Sequence, residues 1–218
     1  MDASSSSLCG PCLAALREPP WPRCPRCHFP RGTGRAPGAA CLECAGWPEA
    51  LHGARTSAVL EPPADAFVHA LKYGGWKGLA DPMGRRMARV CPLPDAVVVP
   101  VPTSAARARR RGYNQAALLA DAYAGALGAA RVDALVMVRD GSSQVALAPE
   151  LRRSNVEGAF ALADAGARLR GRSVALVDDV LTTGATAAAA ARALERAGAL
   201  RVIVVTFARA LPGRTLAV

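Results

Sequence analysis

The sequence predicts an α/β fold in which helices flank a parallel β-sheet and a small cysteine-rich module precedes the sheet. From residue 64 onward, short apolar runs alternate with segments of helical period, which is typical of a parallel sheet covered on both faces. By contrast, six of the seven cysteines fall in three CxxC pairs within the first 44 residues. We therefore expect residues 1–48 to form the amino-terminal module, residues 49–63 a linker, and residues 64–218 the α/β domain.

The composition excludes several classes of protein. The 218 residues are 51% hydrophobic and 20% charged, which excludes a disordered chain. No apolar stretch approaches the ~20 residues that span a membrane, and the first residues lack the basic and apolar parts of a signal peptide. We expect a cytoplasmic protein without membrane insertion. The net charge of +10 creates a field that attracts phosphates.

The three cysteine pairs indicate a metal site. CxxC is a poor spacing for a structural disulfide and a good one for a zinc knuckle. One tetrahedral zinc ion needs four thiolates, and thirteen residues separate Cys27 from Cys41, which is a usual zinc-ribbon spacing. We predict that a structural Zn²⁺ is bound by Cys24, Cys27, Cys41 and Cys44. Cys9 and Cys12 remain alternative ligands that would replace one of these pairs.

The helices and strands of the α/β domain follow from apolar periodicity. Apolar residues of helical period lie on either side of Gly74-Gly75 and predict two amphipathic helices. Four apolar runs predict strands at residues 97–99, 135–138, 174–177 and 202–207. Two further helices are predicted at residues 114–127 and 185–197, and each is followed by a glycine that stops it.

The most informative segment is VALVDDVLTTGAT, residues 174–186. A buried strand is followed by two adjacent carboxylates and then by a threonine-rich loop that leads into a helix. The unpaired N–H groups and the partial positive charge of a helix start suit a phosphate, and Gly184 allows close approach of the backbone. The carboxylates of Asp178 and Asp179 suit ribose hydroxyls and a hydrated divalent metal. Ligands of open parallel sheets bind at the carboxyl ends of strands, where this loop lies.

A basic segment lies at the end of the first predicted strand of the domain. Between Pro102 and Gln115 the chain carries no acid and four arginines: Arg107, Arg109, Arg110 and Arg111. We expect a strand-end loop that takes a pyrophosphate or a polynucleotide backbone; the alternative is a solvated basic loop. A later segment with Arg139, Gln144, Arg152 and Asn155 lacks periodicity, and we interpret it as a functional flap.

These motifs, taken in order, resemble the ComF family. VALVDDVLTTGAT resembles the phosphoribosyl pyrophosphate (PRPP) signature of type I phosphoribosyltransferases, and PVP…RRRGYNQA, RSNVEGAF and LKYGGWKGLADPMG resemble ComF segments. The resemblance implies a type I phosphoribosyltransferase-like fold with a zinc ribbon. It implies that Asp178 and Asp179 contact the ribose hydroxyls and, through PRPP, Mg²⁺. It also implies that the 5′-phosphate is held by Thr182, Thr183, Gly184, Ala185 and Thr186.

Two functions stay open at this point. The family is linked to natural transformation, so the first is a protein of DNA uptake that binds PRPP and, through the four arginines, single-stranded DNA, in contact with the uptake machinery. Trp21, Trp47, Tyr73 and Trp76 are candidates for stacking on bases or for the core. The alternative is an active PRPP-dependent transferase of nucleotide metabolism with no DNA role and an acceptor that the sequence does not identify. There Arg111 or Lys72 would neutralise the leaving pyrophosphate as catalytic groups.

Overall fold

A four-stranded parallel sheet lies at the centre of the protein in the computed structural model, which describes residues 8–32, 40–138 and 158–211. The strands, in the order in which they lie side by side, are β1 (Leu51–Val59), β6 (Arg201–Arg209), β5 (Ser173–Leu181) and β2 (Val97–Pro100). All three pairings are parallel, so the carboxyl ends of the strands meet at one edge. The predicted parallel sheet is therefore confirmed.

Helices cover both faces of this sheet. Three of them pack together on one face: α3 (Ala64–Tyr73), α4 (Ala80–Val90) and α6 (Gln115–Leu127). On the opposite face α7 (Ala185–Arg196) packs together with the cysteine-rich module. Successive residues of β2 serve the two faces, because Val98 packs with the first group and Val99 with the second. The strands are thus buried on both sides, as their continuous apolar runs require.

The remaining helical elements of the described residues are short. They are α1 (Gly10–Ala14), α2 (Leu42–Ala45), α5 (Ala105–Arg111) and two 3₁₀ turns, Lys77–Leu79 and Asp164–Leu169. Among the described residues, no helix has the length and apolar character that a membrane crossing requires. The helices predicted around Gly74-Gly75 are confirmed as α3 and α4. Those expected to stop at glycines are confirmed as α6 and α7, and Gly128 ends α6 in the left-handed region, with a φ of 65°.

The segment expected as a linker, residues 49–63, contains an edge strand of the main sheet. β1 pairs with β6 from Leu51 to Val59 and is buried along most of its length. Its sequence, LHGARTSAV, lacks the apolar run that marks the other strands, and at least one of its positions must be small. At Gly53, for example, a Cβ atom would lie 2.8 Å from the carbonyl oxygen of Arg26 in the cysteine-rich module.

The strand expected at residues 135–138 forms, but it lies outside the parallel sheet. It is β3 (Leu135–Met137), which pairs antiparallel with β4 (Phe160–Leu162) in a separate two-stranded sheet. The outer edge of β2 is already occupied. The N–H of Val98 donates to Ala130 O at 2.8 Å, and the N–H of Val132 donates to Val98 O at 2.9 Å. Because residues 130–132 take these bonds, β3 does not pair with this edge of β2.

Candidate functional site

The four cysteines predicted as zinc ligands lie together. Their sulfur atoms all lie within 4.8 Å of one another. The distance is 3.8 Å between Cys24 Sγ and Cys44 Sγ and 3.7 Å between Cys27 Sγ and Cys41 Sγ. Four thiolates placed tetrahedrally about 2.3 Å from one zinc ion lie about 3.8 Å apart, so the cluster could hold one Zn²⁺. The alternative ligands, Cys9 and Cys12, belong to no such group within the described residues.

Two tight turns bring these cysteines together. In the first, His28 N–H donates to Cys24 O at 2.9 Å and Cys24 N–H donates to Phe29 O at 2.8 Å. His28 takes a positive φ of 59°, which turns the chain back directly after Cys27. In the second, Cys41 precedes the single turn of α2 and Cys44 lies within it. Each CxxC pair therefore presents two sulfur atoms on one side of its turn.

Two arginines attach this cysteine cluster to the sheet. The guanidinium of Arg26 donates to Cys44 O at 3.2 Å, to Pro48 O at 2.9 Å and to Leu51 O at 2.8 Å. Arg209, near the end of β6, is only 1% exposed and donates to Cys27 O at 2.7 Å. Buried charged donors of this kind are costly to leave unpaired. The cluster is consequently held firmly against β1 and β6.

A cleft with a volume of about 400 Å³ opens at the carboxyl ends of the central strands. Seven residues singled out in the sequence line it: Lys72, Tyr73, Arg107, Asp178, Asp179, Thr182 and Thr186. Asn114 also lines the cleft, and its side-chain amide donates to Val101 O at 2.9 Å. That bond joins the start of α6 to the end of β2. The cleft thus combines acids, cations and hydroxyls at the place where parallel sheets bind ligands.

The acid pair lies in the last part of β5. Asp179 is 3% exposed, and its Oδ2 atom lies 3.0 Å from Lys72 Nζ. Asp178 accepts a hydrogen bond of 2.8 Å from the N–H of Asp179 through Oδ1. Burial and the neighbouring Asp179 carboxylate raise the pKa of Asp178 to about 8. A carboxyl group in such surroundings ionises readily only when a cation or several hydrogen-bond donors come close, which suits a metal-bound sugar.

The threonine-rich loop divides its residues between two cavities. Thr182 and Thr186 face the cleft, whereas Thr183, Gly184 and Ala185 line a neighbouring cavity of about 300 Å³ on the side of the cysteine cluster. Gly184 has a φ of +82°, a conformation that side chains rarely adopt. Directly after it α7 begins, and the first N–H groups of a helix lack partners within the helix. The loop can therefore offer both hydroxyl and N–H donors to a phosphate.

The four arginines lie on a short helix, α5, and the expectation of a loop there is wrong. Ser104 caps the helix by accepting the N–H of Arg107 at 3.3 Å, and Gly112 ends it with a φ of 79°. Alanine and arginine favour helix, so the segment AARARRR continues the turn that Ser104 starts. The number of charged residues alone does not indicate that this segment is helical.

The arginines of α5 do not share one environment. Arg107 lines the cleft, and Arg109 and Arg110 are exposed to solvent. Arg111 is half-buried, donates to the side-chain oxygen of Gln115 and lies with its guanidinium carbon 5.3 Å from the ring centre of Tyr73. Residues Arg139, Gln144, Arg152 and Asn155, interpreted as a flap, lie outside the described residues.

Sequence reasoning missed the role of three residues. Arg26 and Arg209 attach the cysteine cluster to the sheet, and Trp47, considered only for base stacking or the core, donates its indole N–H to Thr183 O at 3.0 Å. An arginine at the end of the apolar run of β6 is a signal that could have pointed to Arg209. The other two contacts join residues that are distant in the chain and have no local signature.

Comparison with known proteins finds a family match, several relatives and a similar solved structure. Residues 114–216 match the family described as phosphoribosyl transferase domain. The DNA utilization protein YhgH of Salmonella typhi is 33% identical over an alignment of 214 residues that covers 94% of this chain and 91% of that protein. Competence protein F of Haemophilus influenzae is 39% identical over 119 residues, which are 54% of this chain and 52% of that protein. The solved structure titled the allosteric regulatory enzyme of purine biosynthesis aligns with a TM-score of 0.42 and 24% identity, over 60% of this chain and 26% of that one.

The fold and the family match define a protein with a phosphoribosyltransferase-like α/β domain, to which an amino-terminal cluster of four cysteines is attached. The chain belongs to the ComF family, because its similarity to YhgH extends over almost its whole length and it also matches competence protein F. The resemblance seen in the sequence motifs is therefore confirmed.

Proposed function

We propose that the protein binds PRPP together with Mg²⁺ in the cleft at the carboxyl ends of the sheet. The observation that carries this proposal is the composition of the cleft, in which an acid pair and two threonines lie beside Lys72 and Arg107. A lone helix start would suit any anion. Adjacent carboxylates repel anions and therefore favour a ligand that brings hydroxyl groups and a metal ion along with its phosphates.

The parts of PRPP match the parts of the cleft. The 5′-phosphate takes the N–H donors of residues 182–186 and the hydroxyls of Thr182 and Thr186, and the ribose hydroxyls donate to Asp178 and Asp179. The same acids would hold Mg²⁺, whose chemistry is to neutralise the pyrophosphate oxygens. Lys72 neutralises Asp179 in this structure and can exchange that carboxylate for a pyrophosphate oxygen. Arg107 supplies further positive charge at the edge of the cleft.

Calorimetry with an acid-pair variant tests this proposal. Changing Asp178 and Asp179 to Asn keeps the size of both side chains but removes two charged acceptors. Because each hydrogen bond to a charged group contributes about 1.5–3 kcal/mol, the affinity for Mg²⁺-PRPP should fall at least about 100-fold. Asp81→Asn with Asp95→Asn is the matched control, since both of those carboxylates are exposed and neither lines the cleft. Equal affinity of the acid-pair variant and the control would contradict the ribose assignment.

We further propose that α5 and its surroundings bind single-stranded DNA, so that the protein handles incoming strands in the cytoplasm during DNA uptake. The specific observation is that exposed aromatic side chains accompany the arginines. Tyr73 is 59% and Trp76 is 57% exposed, and Arg111 lies over the ring of Tyr73. Proteins that bind single strands combine positive charge for the backbone with aromatic faces for the bases. The names of the relatives, DNA utilization protein and competence protein, support this role.

The alternative function is an active PRPP-dependent phosphoribosyltransferase of nucleotide metabolism without a DNA role. Such a reaction breaks the bond between the anomeric carbon and the pyrophosphate oxygen and forms a bond from that carbon to the acceptor. Lys72 or Arg111 would then stabilise the charge that develops on the leaving pyrophosphate. Pyrophosphate release from PRPP with a base or amine as acceptor, together with no affinity for DNA, would favour this alternative.

A further inference from the structure

Trp47 connects the cysteine cluster to the loop that we assign to the 5′-phosphate. It follows Cys44 by three residues, and its backbone N–H donates to Cys44 O at 3.1 Å. Its indole N–H donates to the backbone oxygen of Thr183 at 3.0 Å. The side chain is almost completely buried, with 9% exposure. One residue thus contacts a zinc-ligand candidate through its backbone and the loop through its ring.

The indole ring of Trp47 packs directly against Gly184 of the loop. A Cβ atom added to Gly184 would lie 2.7–2.8 Å from three atoms of the indole ring. Such distances essentially never occur between real side chains, so the ring occupies the space of any side chain at this position. Two constraints therefore require a glycine at position 184. Its φ of +82° is unfavourable for other residues, and the indole ring leaves no space for a side chain.

The loop lies between the indole ring and the cleft. Thr183, Gly184 and Ala185 line the cavity that contains Trp47, whereas Thr182 and Thr186 line the cleft. A carbonyl oxygen held by a buried donor has a defined direction, which limits the backbone angles of the peptides on either side. A loop already held in one conformation loses less entropy when it binds a ligand.

We propose that Trp47 is a positioning residue, which holds residues 182–186 in the conformation that receives a phosphate. This inference rests on the proposed function of the cleft. The cysteine-rich module then has a role beyond stability, because it supplies the side chain that holds the loop on the side facing away from the cleft. Coupling between two sites is reciprocal, so a phosphate bound to the loop also stabilises the position of Trp47.

A conservative substitution separates positioning from packing. Trp47→Phe keeps an aromatic ring in the cavity but removes the N–H that binds Thr183 O, whereas Trp21→Phe makes the same change at a side chain that is 75% exposed. Calorimetry measures the affinity for ribose 5-phosphate and, separately, for inorganic pyrophosphate. The loss of one hydrogen bond corresponds to about a tenfold change. We expect Trp47→Phe to weaken the affinity for ribose 5-phosphate by about this factor and to leave the affinity for pyrophosphate within about twofold of wild type. Trp21→Phe should change neither affinity.

The outcomes distinguish this inference from the proposed function. Wild-type affinity of Trp47→Phe for ribose 5-phosphate would overturn the positioning role and leave the proposed function intact. An equal loss for both ligands would also overturn it, because a general packing defect has that effect. If the wild-type protein binds neither ligand, the proposed function itself fails.

A spectroscopic measurement keeps the inference testable if Trp47→Phe does not fold. The chain contains three tryptophans, and Trp21 and Trp76 are exposed. Changing both to Phe leaves Trp47 as the only indole fluorophore. Ribose 5-phosphate should then shift the emission or alter the quenching of Trp47 along a saturable curve, whereas ribose should not. Binding observed by calorimetry without any change in this emission would overturn the proposal.

Discussion

The salt dependence of DNA binding gives a numerical test of the basic helix α5. Arg109 and Arg110 are exposed in its last turn, whereas Arg107 lines the cleft and Arg111 is half-buried against Tyr73. Arg109 and Arg110 are therefore the two arginines of the helix that can contact a DNA backbone without also serving the cleft. Changing both to Ala preserves the helix, because alanine favours it at least as strongly as arginine.

The size of the expected effect follows from counting phosphate contacts. Each phosphate neutralised by a single-strand binding protein contributes roughly 0.7 to the slope of log affinity against log salt concentration. The slope for a single-stranded oligonucleotide should therefore become flatter by about 1.4 in the double variant. Fluorescence anisotropy over a salt series measures both the slope and the affinity.

A matched variant controls for net charge. Arg168 and Arg172 are exposed and precede β5, at the opposite end of the strand from the cleft. Changing both to Ala removes the same two charges but should leave the slope unchanged, since we expect no phosphate contact there. Equal changes in the two double variants would mean that only the overall positive field attracts DNA. An unchanged slope in the Arg109 and Arg110 variant would refute the proposed contacts.

Two further predictions concern the cysteine cluster and the ion pair of the cleft. Metal analysis should find one Zn²⁺ per chain in the wild type and in Cys9→Ser but much less in Cys24→Ser, because a structural site needs all four ligands. A zinc content of Cys24→Ser equal to that of the wild type would contradict the ligand set. Lys72→Met should lower the melting temperature by about 2–6 °C, because it leaves a buried carboxylate without its cation. The control Lys77→Met, at an exposed lysine, should change it much less, and equal melting temperatures of the two variants would show that the ion pair contributes nothing.

Local sequence patterns were sufficient to predict three of the four strands of the parallel sheet and the two groups of residues that the structure brings together. The loop before α7 and the CxxC pairs could be recognised because neighbouring residues carry the whole signal: acids, hydroxyls and a glycine in one case, and paired thiols in the other. Their chemistry depends on the local backbone. In the structure the acids, Thr182 and Thr186 line the cleft, Thr183 and Gly184 line the neighbouring cavity, and the paired thiols form the sulfur cluster.

The features that escaped prediction depend on contacts between distant parts of the chain. β1 consists largely of small and polar residues, one of which, Gly53, is required by the close approach of the cysteine-rich module, and no periodic pattern indicates such a strand. β3 was assigned to the wrong sheet because residues 130–132 already bond to the edge of β2. The contact of Trp47 with Thr183 spans 136 positions, so no local rule could have predicted it.

The most direct test of the central claim is a crystal structure of the protein with PRPP and Mg²⁺. We predict that the 5′-phosphate lies within hydrogen-bond distance of the N–H groups at the start of α7. The ribose hydroxyls should contact Asp178 and Asp179, and Lys72 should lie nearer to the pyrophosphate than in this structure. Electron density for PRPP elsewhere on the protein, or a cleft that stays empty at saturating ligand, would contradict the account.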